Sequence, residues 1–263
     1  MTPLFFGTNA RRLFGAYSPA SGRVPGARSI VLCHPWGQEY LRAHRSMRQL
    51  ANLLSAAGNH VLRFDYFGTG DSAGETQDAD LADWEQDIET AMQELMDTTG
   101  ATKVSLVGLR IGGALAARVA ARKPRLVDSL VLWDPVVGGE EHLAELSDTE
   151  AQQPRGGRNN LARPAEHGGG HEVLGFPLTQ RLAQSIHSID LTALAPSLPA
   201  RTFVVTSHAV PSHAGFREAL ARHPAGAIPF ERIESLYAWL QYQDLGAGAI
   251  PTAVLDRIAR FYS

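Results

Sequence analysis

The feature that most constrains the fold is a regular alternation of short apolar runs with segments of helical periodicity. The apolar runs lie at 29–33, 60–64, 104–107, 127–133 and 202–205, with a further strand near 228–233. The helical segments lie at 44–57, 78–98, 111–121, 216–222 and 252–262. Continuously apolar strands are typical of a parallel sheet that is buried on both faces, and strand–helix alternation supplies the helices that cover it. The sequence therefore predicts an α/β fold with a doubly wound, mostly parallel sheet.

One stretch interrupts this alternation. Residues 138–191 are rich in Gly, Glu, His and Arg, and they include glycine runs at 156–157 and 168–170. A long irregular connection within a compact domain is usually a lid or another functional loop. We therefore expect one domain over residues 1–263, with 138–191 inserted as a lid or cap, part loop and part helix.

Composition excludes several classes of function. The 24 basic residues against 27 acidic ones give a net charge of −3, which argues against binding to nucleic acid or anionic lipid. Cys33 is the single cysteine, so an internal disulfide and a cysteine-rich zinc site are excluded. His167 and His171 flank a glycine run whose flexibility gives no fixed ligand geometry, so we predict neither a metal nor a cofactor. No apolar stretch resembles a signal peptide or a membrane span, which predicts a soluble cytoplasmic protein.

Three motifs stand where predicted strands end. They are His-Pro-Trp-Gly at 34–37, a glycine-containing turn at 65–72, and Gly-Leu-Arg-Ile-Gly-Gly at 108–113. Open α/β sheets bind ligands at this edge. In this order and spacing the motifs resemble the α/β-hydrolase superfamily, in its serine-aminopeptidase-like branch. Within it, the Gly-Leu-Arg motif is similar to hydrolase-like proteins that accompany exosortase and extracellular polysaccharide loci. The resemblance implies an α/β-hydrolase-type sheet, an oxyanion loop at 34–37 and a nucleophile elbow at 108–112.

The elbow departs from the superfamily at its central position. The superfamily pattern is Gly-x-Ser-x-Gly, in which small residues relieve crowding around a strained turn. Here Gly108 and Gly112 keep the spacing, but the nucleophile position holds Arg110. A guanidinium is permanently protonated and has no lone pair with which to attack an acyl carbon. The sequence therefore predicts that the elbow backbone is retained and that serine chemistry is lost.

The remaining triad positions are also altered. No carboxylate follows the 202–205 strand until Glu218, and the last histidine, His223, precedes the last predicted strand. Asp134, which follows the 127–133 strand, is an alternative acid, but no histidine follows the last predicted strand for it to orient. Three departures together indicate that the Ser-Asp-His mechanism is absent.

We identified candidate site residues around this elbow. Arg110 lies at the start of a helix, an arrangement that favours a bound anion; the alternative is an internal ion pair with Asp134 or Asp65. His34 is either an acid–base group or an anchor of its loop, and Asp134 is the third candidate catalytic group. The expected ligand-binding residues are Trp36, Gly37, Ile111 and Tyr66. Cys33 is expected to be a buried strand residue with a raised thiol pKa.

Two functions of different kind fit these residues. The first is a hydrolase-fold protein without the triad that binds an acyl or carboxylate-bearing small molecule, as an accessory protein of a biosynthetic or exopolysaccharide locus. The second is an active acyl hydrolase, thioesterase, lyase or cyclase that uses His34, Asp134 or Cys33. Membership of a superfamily does not decide between them. The sequence does not decide whether the protein forms a homodimer or a complex with a biosynthetic partner protein.

Overall fold

The computed structural model describes residues 1–22, 26–152, 170–235 and 250–263. The strands within them are β1 (Thr2–Gly7), β2 (Arg12–Ser18), β3 (Ser29–Cys33), β4 (His60–Phe64), β5 (Val104–Leu109), β6 (Val127–Trp133), β7 (Gly170–Val173), β8 (Phe176–Thr179), β9 (Thr202–Thr206) and β10 (Phe230–Arg232). The helices are α1 (Gln38–Ala56), α2 (Leu81–Thr99), α3 (Ile111–Arg122), α4 (Gly139–Ala151), α5 (Gln180–His187), α6 (Leu191–Leu194), α7 (Ser212–Ala221) and α8 (Thr252–Phe261).

The main sheet has the strand order β1-β2-β4-β3-β5-β6-β9-β10. All pairs from β4 to β10 are parallel, whereas β1 and β2 are antiparallel to their neighbours. The predicted fold class, a doubly wound and mostly parallel sheet of α/β-hydrolase type, is thus confirmed. Because the parallel strands run in one direction, their carboxyl ends bring the 34–37, 65–72 and 108–113 motifs to the same edge of the sheet.

Hydrophobic cores lie on both faces of the sheet. On one face, helices α2 and α3 pack against it, and the buried side chains include Trp84, Leu106 and Leu115. On the other face, α1 and α8 pack together over Leu50 and Phe203. Burial on both faces explains why the central strands are apolar throughout, and hence why they could be recognised in the sequence.

The segment 138–191 contains α4, the small antiparallel β7–β8 hairpin and α5. Helix α4 packs against α5, and Gly138 forms an isolated bridge with Asp190, so the two ends of this segment meet. His171 lies on β7, whereas His167 falls outside the described residues. Within the described residues, no helix is both long and apolar enough to cross a membrane.

Candidate functional site

The turn between β5 and α3 keeps the strained backbone of a nucleophile elbow. Arg110 sits between them with φ 55° and ψ −124°, a left-handed conformation that is rare for a residue with a side chain. The flanking glycines are required because backbone lies against them. A Cβ on Gly112 would stand 2.4 Å from the carbonyl oxygens of Cys33 and His34, and one on Gly108 would stand 2.3 Å from that of Gly112.

The Arg110 side chain is held by two carboxylates. Its Nε donates to Glu39 Oε1 at 2.8 Å, and its Nη2 donates to Glu145 Oε2 and lies 3.4 Å from His142 Nδ1. Glu39 belongs to the first turn of α1, directly after the 34–37 loop, and the other two residues belong to α4. Arg110 thus ties α1, the elbow and α4 together, and its ion-pair partners are not the Asp134 or Asp65 considered from the sequence.

These pairs fix the charges of the cluster. Arg110 is only 3% exposed, and although burial alone lowers its pKa, Glu39 and Glu145 bring that pKa above its ordinary value. Burial raises the pKa of Glu145, but the hydrogen bond with His142 and the charge of Arg110 outweigh burial and bring it to about 2. The guanidinium and the Glu145 carboxylate are therefore both charged at neutral pH.

Arg110 also lines a cavity of about 370 Å³ between the sheet edge and α4, which we call the Arg110 cavity. Its apolar lining residues are Pro135, Val136, Val137, Ala144, Val210 and Pro211. Its polar lining residues include Glu141, His142, Glu145, Asp148, Thr149 and Gln152. Three carboxylates thus share the cavity with one arginine, so it is not the cationic pocket that Arg110 alone predicts.

Asp134 belongs to a different cluster. It is fully buried at the end of β6 with φ 40°, and it accepts hydrogen bonds from the N–H and the hydroxyl of Ser207, both at 2.6 Å. His208 Nδ1 lies 3.4 Å from its Oδ1. The acid at the end of β6 therefore does meet a histidine, which stands directly after β9. Ser207 donates its hydroxyl proton to the carboxylate rather than to an imidazole, so these three residues do not form a nucleophile–base–acid chain.

His34 stands in a second, smaller cavity of about 110 Å³, which Tyr40 and Asp65 also line. Its Nδ1 donates to the carbonyl oxygen of Pro35 at 2.7 Å, and its Nε2 lies 4.0 Å from Asp65 Oδ1. Burial is the main reason why the pKa of His34 is lowered. The three candidate catalytic residues Arg110, His34 and Asp134 thus have different hydrogen-bond partners.

The four expected ligand-binding residues pack around the elbow instead of lining the Arg110 cavity. Trp36 is buried, with its ring 6.4 Å from that of Trp84 and 6.2 Å from that of Phe176. Tyr66 is fully buried and stacks on Trp84 at 5.5 Å. Gly37, with φ 66°, precedes α1, and Ile111 is the buried first residue of α3.

Cys33 is fully buried, and burial raises the pKa of its thiol, as expected for a packing residue.

One set of residues in the cluster has metal-ligand chemistry. Glu39, His142 and Glu145 each offer one ligand atom, and these atoms lie within 4.8 Å of one another. Nitrogen and carboxylate ligands of this kind suit a divalent cation such as zinc. The guanidinium of Arg110 bonds to both carboxylates, so the protein's own cation already stands among these ligands.

One family model matches part of the chain. Residues 26–154 match the model described as serine aminopeptidase, S33. This match supports the α/β-hydrolase superfamily, in its serine-aminopeptidase-like branch. A human protein named palmitoyl-protein thioesterase ABHD10, mitochondrial, is 27% identical to this α/β-hydrolase over 116 residues. That match covers 44% of the chain and 35% of the relative's length.

Solved structures extend the likeness over the whole fold of this α/β-hydrolase. Est1E from Butyrivibrio proteoclasticus, solved with ferulic acid bound, superposes with a TM-score of 0.65 at 15% identity, covering 97% of this chain and 99% of that one. Proline iminopeptidase from Mycobacterium smegmatis gives 0.67 at 14% identity, covering 99% and 97%. At such identities the likeness shows the fold alone.

The residues around Arg110 are the part of the site that the sequence did not reveal. Glu39, Glu141, His142 and Glu145 were not among the expected site residues. Glu39 follows the His-Pro-Trp-Gly loop by two positions, so its place at the sheet edge could have been inferred. The α4 residues gave no such signal, because they lie within the segment whose structure the sequence left open.

Proposed function

We propose that this α/β-hydrolase binds a small molecule in the Arg110 cavity and does not form a serine acyl-enzyme. The observation that carries the proposal is the side chain at the elbow. Position 110 keeps the strained backbone but presents a guanidinium that is paired with Glu39 and Glu145. A guanidinium cannot act as a nucleophile, whereas it can position a ligand or a neighbouring element.

The mixed lining of the cavity suggests the chemistry of the ligand. An acyl chain fits its apolar residues, among them Val136, Val137 and Val210. A neutral hydroxylated end group fits its carboxylates, because hydroxyls donate hydrogen bonds to Glu141 and Asp148 without displacing any ion pair. A ligand carboxylate reaches Arg110 only by replacing Glu145. Of the two ligand types, we therefore favour an acyl ligand with a neutral polar end over a carboxylate-bearing one. The protein would then act as an accessory protein of a biosynthetic locus.

A serine-directed fluorophosphonate, followed by intact-mass spectrometry of the full chain, tests the absence of an acyl-enzyme. We expect no covalent adduct, because no serine hydroxyl stands at the elbow. Ser207→Ala is the matched variant, since the Ser207 hydroxyl donates to the Asp134 carboxylate near this edge. One adduct per chain that maps to a serine would overturn the proposal.

Calorimetry with hexanoate and with 1-hexanoylglycerol tests the two ligand types. In Glu145→Gln the arginine loses a competing carboxylate, so we expect hexanoate affinity to rise at least about fivefold and 1-hexanoylglycerol affinity to change less than about twofold. Asp148→Asn is the matched control, because it removes one negative charge from the same cavity but leaves the Arg110 pairs intact. Equal gains in both variants would show that only the net charge matters. Failure of both compounds to bind would overturn the acyl-ligand assignment.

A second candidate function is acyl-ester or thioester hydrolysis. It is supported by the acid–histidine contact between Asp134 and His208 at 3.4 Å, and by the similarity to a protein named as a thioesterase. The test is turnover of 4-nitrophenyl esters and acyl-thioesters by wild type, Asp134→Asn and His34→Ala. Turnover that Asp134→Asn or His34→Ala abolishes would favour this function, and absence of turnover at every acyl length would exclude it.

A further inference from the structure

The smaller cavity that contains His34 lies between helix α1 and the sheet, and we call it the His34 cavity. Side chains on one face of a strand recur at every second residue. Three such pairs line the cavity, on or directly after β2, β3 and β4, and they are Phe14 and Ala16, Leu32 and His34, and Arg63 and Asp65. Helix α1 adds Tyr40, His44 and Met47. The described residues that line the Arg110 cavity are all different ones, so the two cavities are separate sites.

His34 brings a buried hydrogen-bond acceptor to this cavity. The Pro35 carbonyl oxygen can only accept, so Nδ1 of His34 carries the proton of their 2.7 Å hydrogen bond, and Nε2 of the neutral ring is left as an acceptor. The side chain is 8% exposed, and burial lowers its pKa, which favours the neutral ring. Within the described part of the chain Nε2 has no hydrogen-bond partner, and Asp65 Oδ1, 4.0 Å away, is itself an acceptor. A buried acceptor of this kind calls for a donor that the chain does not supply.

Arg63 brings a cation to the same cavity. Its guanidinium forms no ion pair with any residue that the structure describes, and its Nη2 makes only a weak contact with Met1 Sδ at 3.5 Å. Asp65 follows two residues later on the same face of the strand. Its carboxylate accepts from the Tyr40 hydroxyl at 2.9 Å and from the Asp71 N–H at 3.1 Å, and each oxygen keeps a further lone pair. The cavity therefore combines a cationic donor at Arg63 with two acceptors, His34 Nε2 and the Asp65 carboxylate.

We propose that the His34 cavity binds a small zwitterionic α-amino acid. The ammonium group of the ligand donates to His34 Nε2 and to Asp65, and its carboxylate accepts from Arg63. An ammonium group has the protons to serve both acceptors and the charge that complements Asp65, whereas the hydroxyl of a hydroxy acid has one proton and no charge. Because this site has its own lining, the proposal does not rest on ligand binding in the Arg110 cavity.

The size of the cavity limits the ligand. Its volume is about 110 Å³, against roughly 30 Å³ for each molecule of liquid water, so it takes a molecule of the size of glycine or alanine and not an acyl chain. Phe14, Leu32 and Phe64 give the cavity an apolar lining that suits a methyl side chain. L-Alanine is therefore the probe.

Calorimetry of the full chain with L-alanine, propionate and ethylammonium tests the proposal. Propionate lacks the ammonium group and ethylammonium lacks the carboxylate. We expect L-alanine to bind at least about tenfold more tightly than either, because each of the other two loses hydrogen bonds between charged groups. Absence of L-alanine binding would overturn the proposal and leave ordered water as the occupant of the cavity. Propionate or ethylammonium binding as tightly as L-alanine would overturn it as well, because a single charge would then suffice.

Arg63→Gln assigns the carboxylate of the ligand to its partner. We expect its affinity for L-alanine to fall at least about fivefold and its affinity for ethylammonium not to fall, since ethylammonium has no carboxylate for Arg63 to bind. Arg48→Gln is the matched control, because it removes the charge of an arginine that lies near Arg63 but does not line the cavity, and its affinity for L-alanine should stay within about twofold of wild type.

Unfolding temperatures within about 3 °C of wild type confirm that both variants are folded. An Arg63→Gln affinity for L-alanine within twofold of wild type, or an equal loss in Arg48→Gln, would overturn the proposal. If Arg63→Gln does not fold, the comparison of the three compounds on wild type still decides. A serine adduct with the fluorophosphonate would overturn the proposed function of the Arg110 cavity instead, so the two failures are distinguishable.

Discussion

At the scale of single residues, Arg110 changes what an elbow does. A serine at this turn would point toward a substrate, whereas the arginine bridges Glu39 on α1 and Glu145 on α4. The motif spacing showed that Arg110 stands at the nucleophile position, and it predicted that the elbow backbone is retained. It could not predict the partners, because Glu39 and Glu145 are 71 and 35 positions away along the chain. Contacts of that range depend on the packing of α1 and α4 against the sheet edge, which no local pattern encodes.

Removing the guanidinium should both destabilise the protein and create a metal site. Arg110→Ala leaves the Glu39 carboxylate buried without a counter-ion, which costs about 3–5 kcal/mol of unfolding free energy. The ligand atoms of Glu39, His142 and Glu145 are then free to bind a cation. Saturating Zn²⁺ should raise the unfolding temperature of the variant by about 5 °C and leave that of wild type unchanged.

Thermal unfolding with Zn²⁺ or with EDTA measures both effects. Arg222→Ala is the control, because its ion pair with Glu218 lies on the surface and its loss should leave the unfolding temperature unchanged. An Arg110→Ala variant as stable as wild type would mean that Glu39 is already compensated by other groups. Equal stabilisation of wild type by Zn²⁺ would place the metal elsewhere.

At the scale of elements, the parallel strands could be read from the sequence, whereas the N-terminal antiparallel strands β1 and β2 could not. Strands β3, β4 and β6 lie at their predicted bounds, since burial on both faces makes them uniformly apolar. Strand β1 went unrecognised because it is mostly exposed and has no continuous apolar run. Strand β2 also went unrecognised, because Arg12, Gly15 and Ser18 interrupt its apolar residues. Helix α1 begins at Gln38 rather than at 44, because its first turn follows the 34–37 loop and holds Glu39 against the elbow.

Substitution of an elbow glycine tests how closely β3, the 34–37 loop and α3 pack together. A Cβ at Gly112 would clash with two backbone carbonyl oxygens at 2.4 Å, and backbone cannot move aside as a flexible side chain can. Gly112→Ala should therefore lower the unfolding free energy by about 3 kcal/mol, in the range of an overpacked core. Gly215→Ala in α7 is the matched substitution, since nothing lies within 4 Å of its added methyl group. It should stabilise the protein by about 0.5–1 kcal/mol through helix propensity and reduced freedom of the unfolded chain.

Urea unfolding of both variants gives the two free energies. A Gly112→Ala variant with wild-type stability would indicate that the α3 helix can shift away from the 34–37 loop. A destabilised Gly215→Ala would show that α7 is not a regular helix in solution.

At the scale of the whole molecule, the features that determine the fold differ from those that determine the chemistry. The strand order and motif order suffice to place the chain among α/β-hydrolases, because they depend on topology that many sequences share. The chemistry depends on which side chains stand at three strand ends, and here those ends hold an arginine, a buried aspartate hydrogen-bonded to Ser207, and a loop without histidine. An elbow alone does not constitute an active site.

Restoring the serine should therefore not restore serine catalysis. Arg110→Ser rebuilds Gly-x-Ser-x-Gly, but the sequence places no histidine after the last strand, and His34 Nδ1 is held by the Pro35 carbonyl. His142 contacts the guanidinium end of Arg110, several bonds from the Cβ that would bear the serine hydroxyl. The serine is introduced into a Glu39→Gln parent, so that the Glu39 carboxylate is not left buried and unpaired beside the elbow. Because serine without a base is a weak nucleophile, kcat/KM of the double variant for 4-nitrophenyl acetate should stay within about threefold of that of the Glu39→Gln parent. A rise of a hundredfold, together with fluorophosphonate labelling at position 110, would instead reveal a base within reach of the elbow and a site one substitution away from hydrolysis.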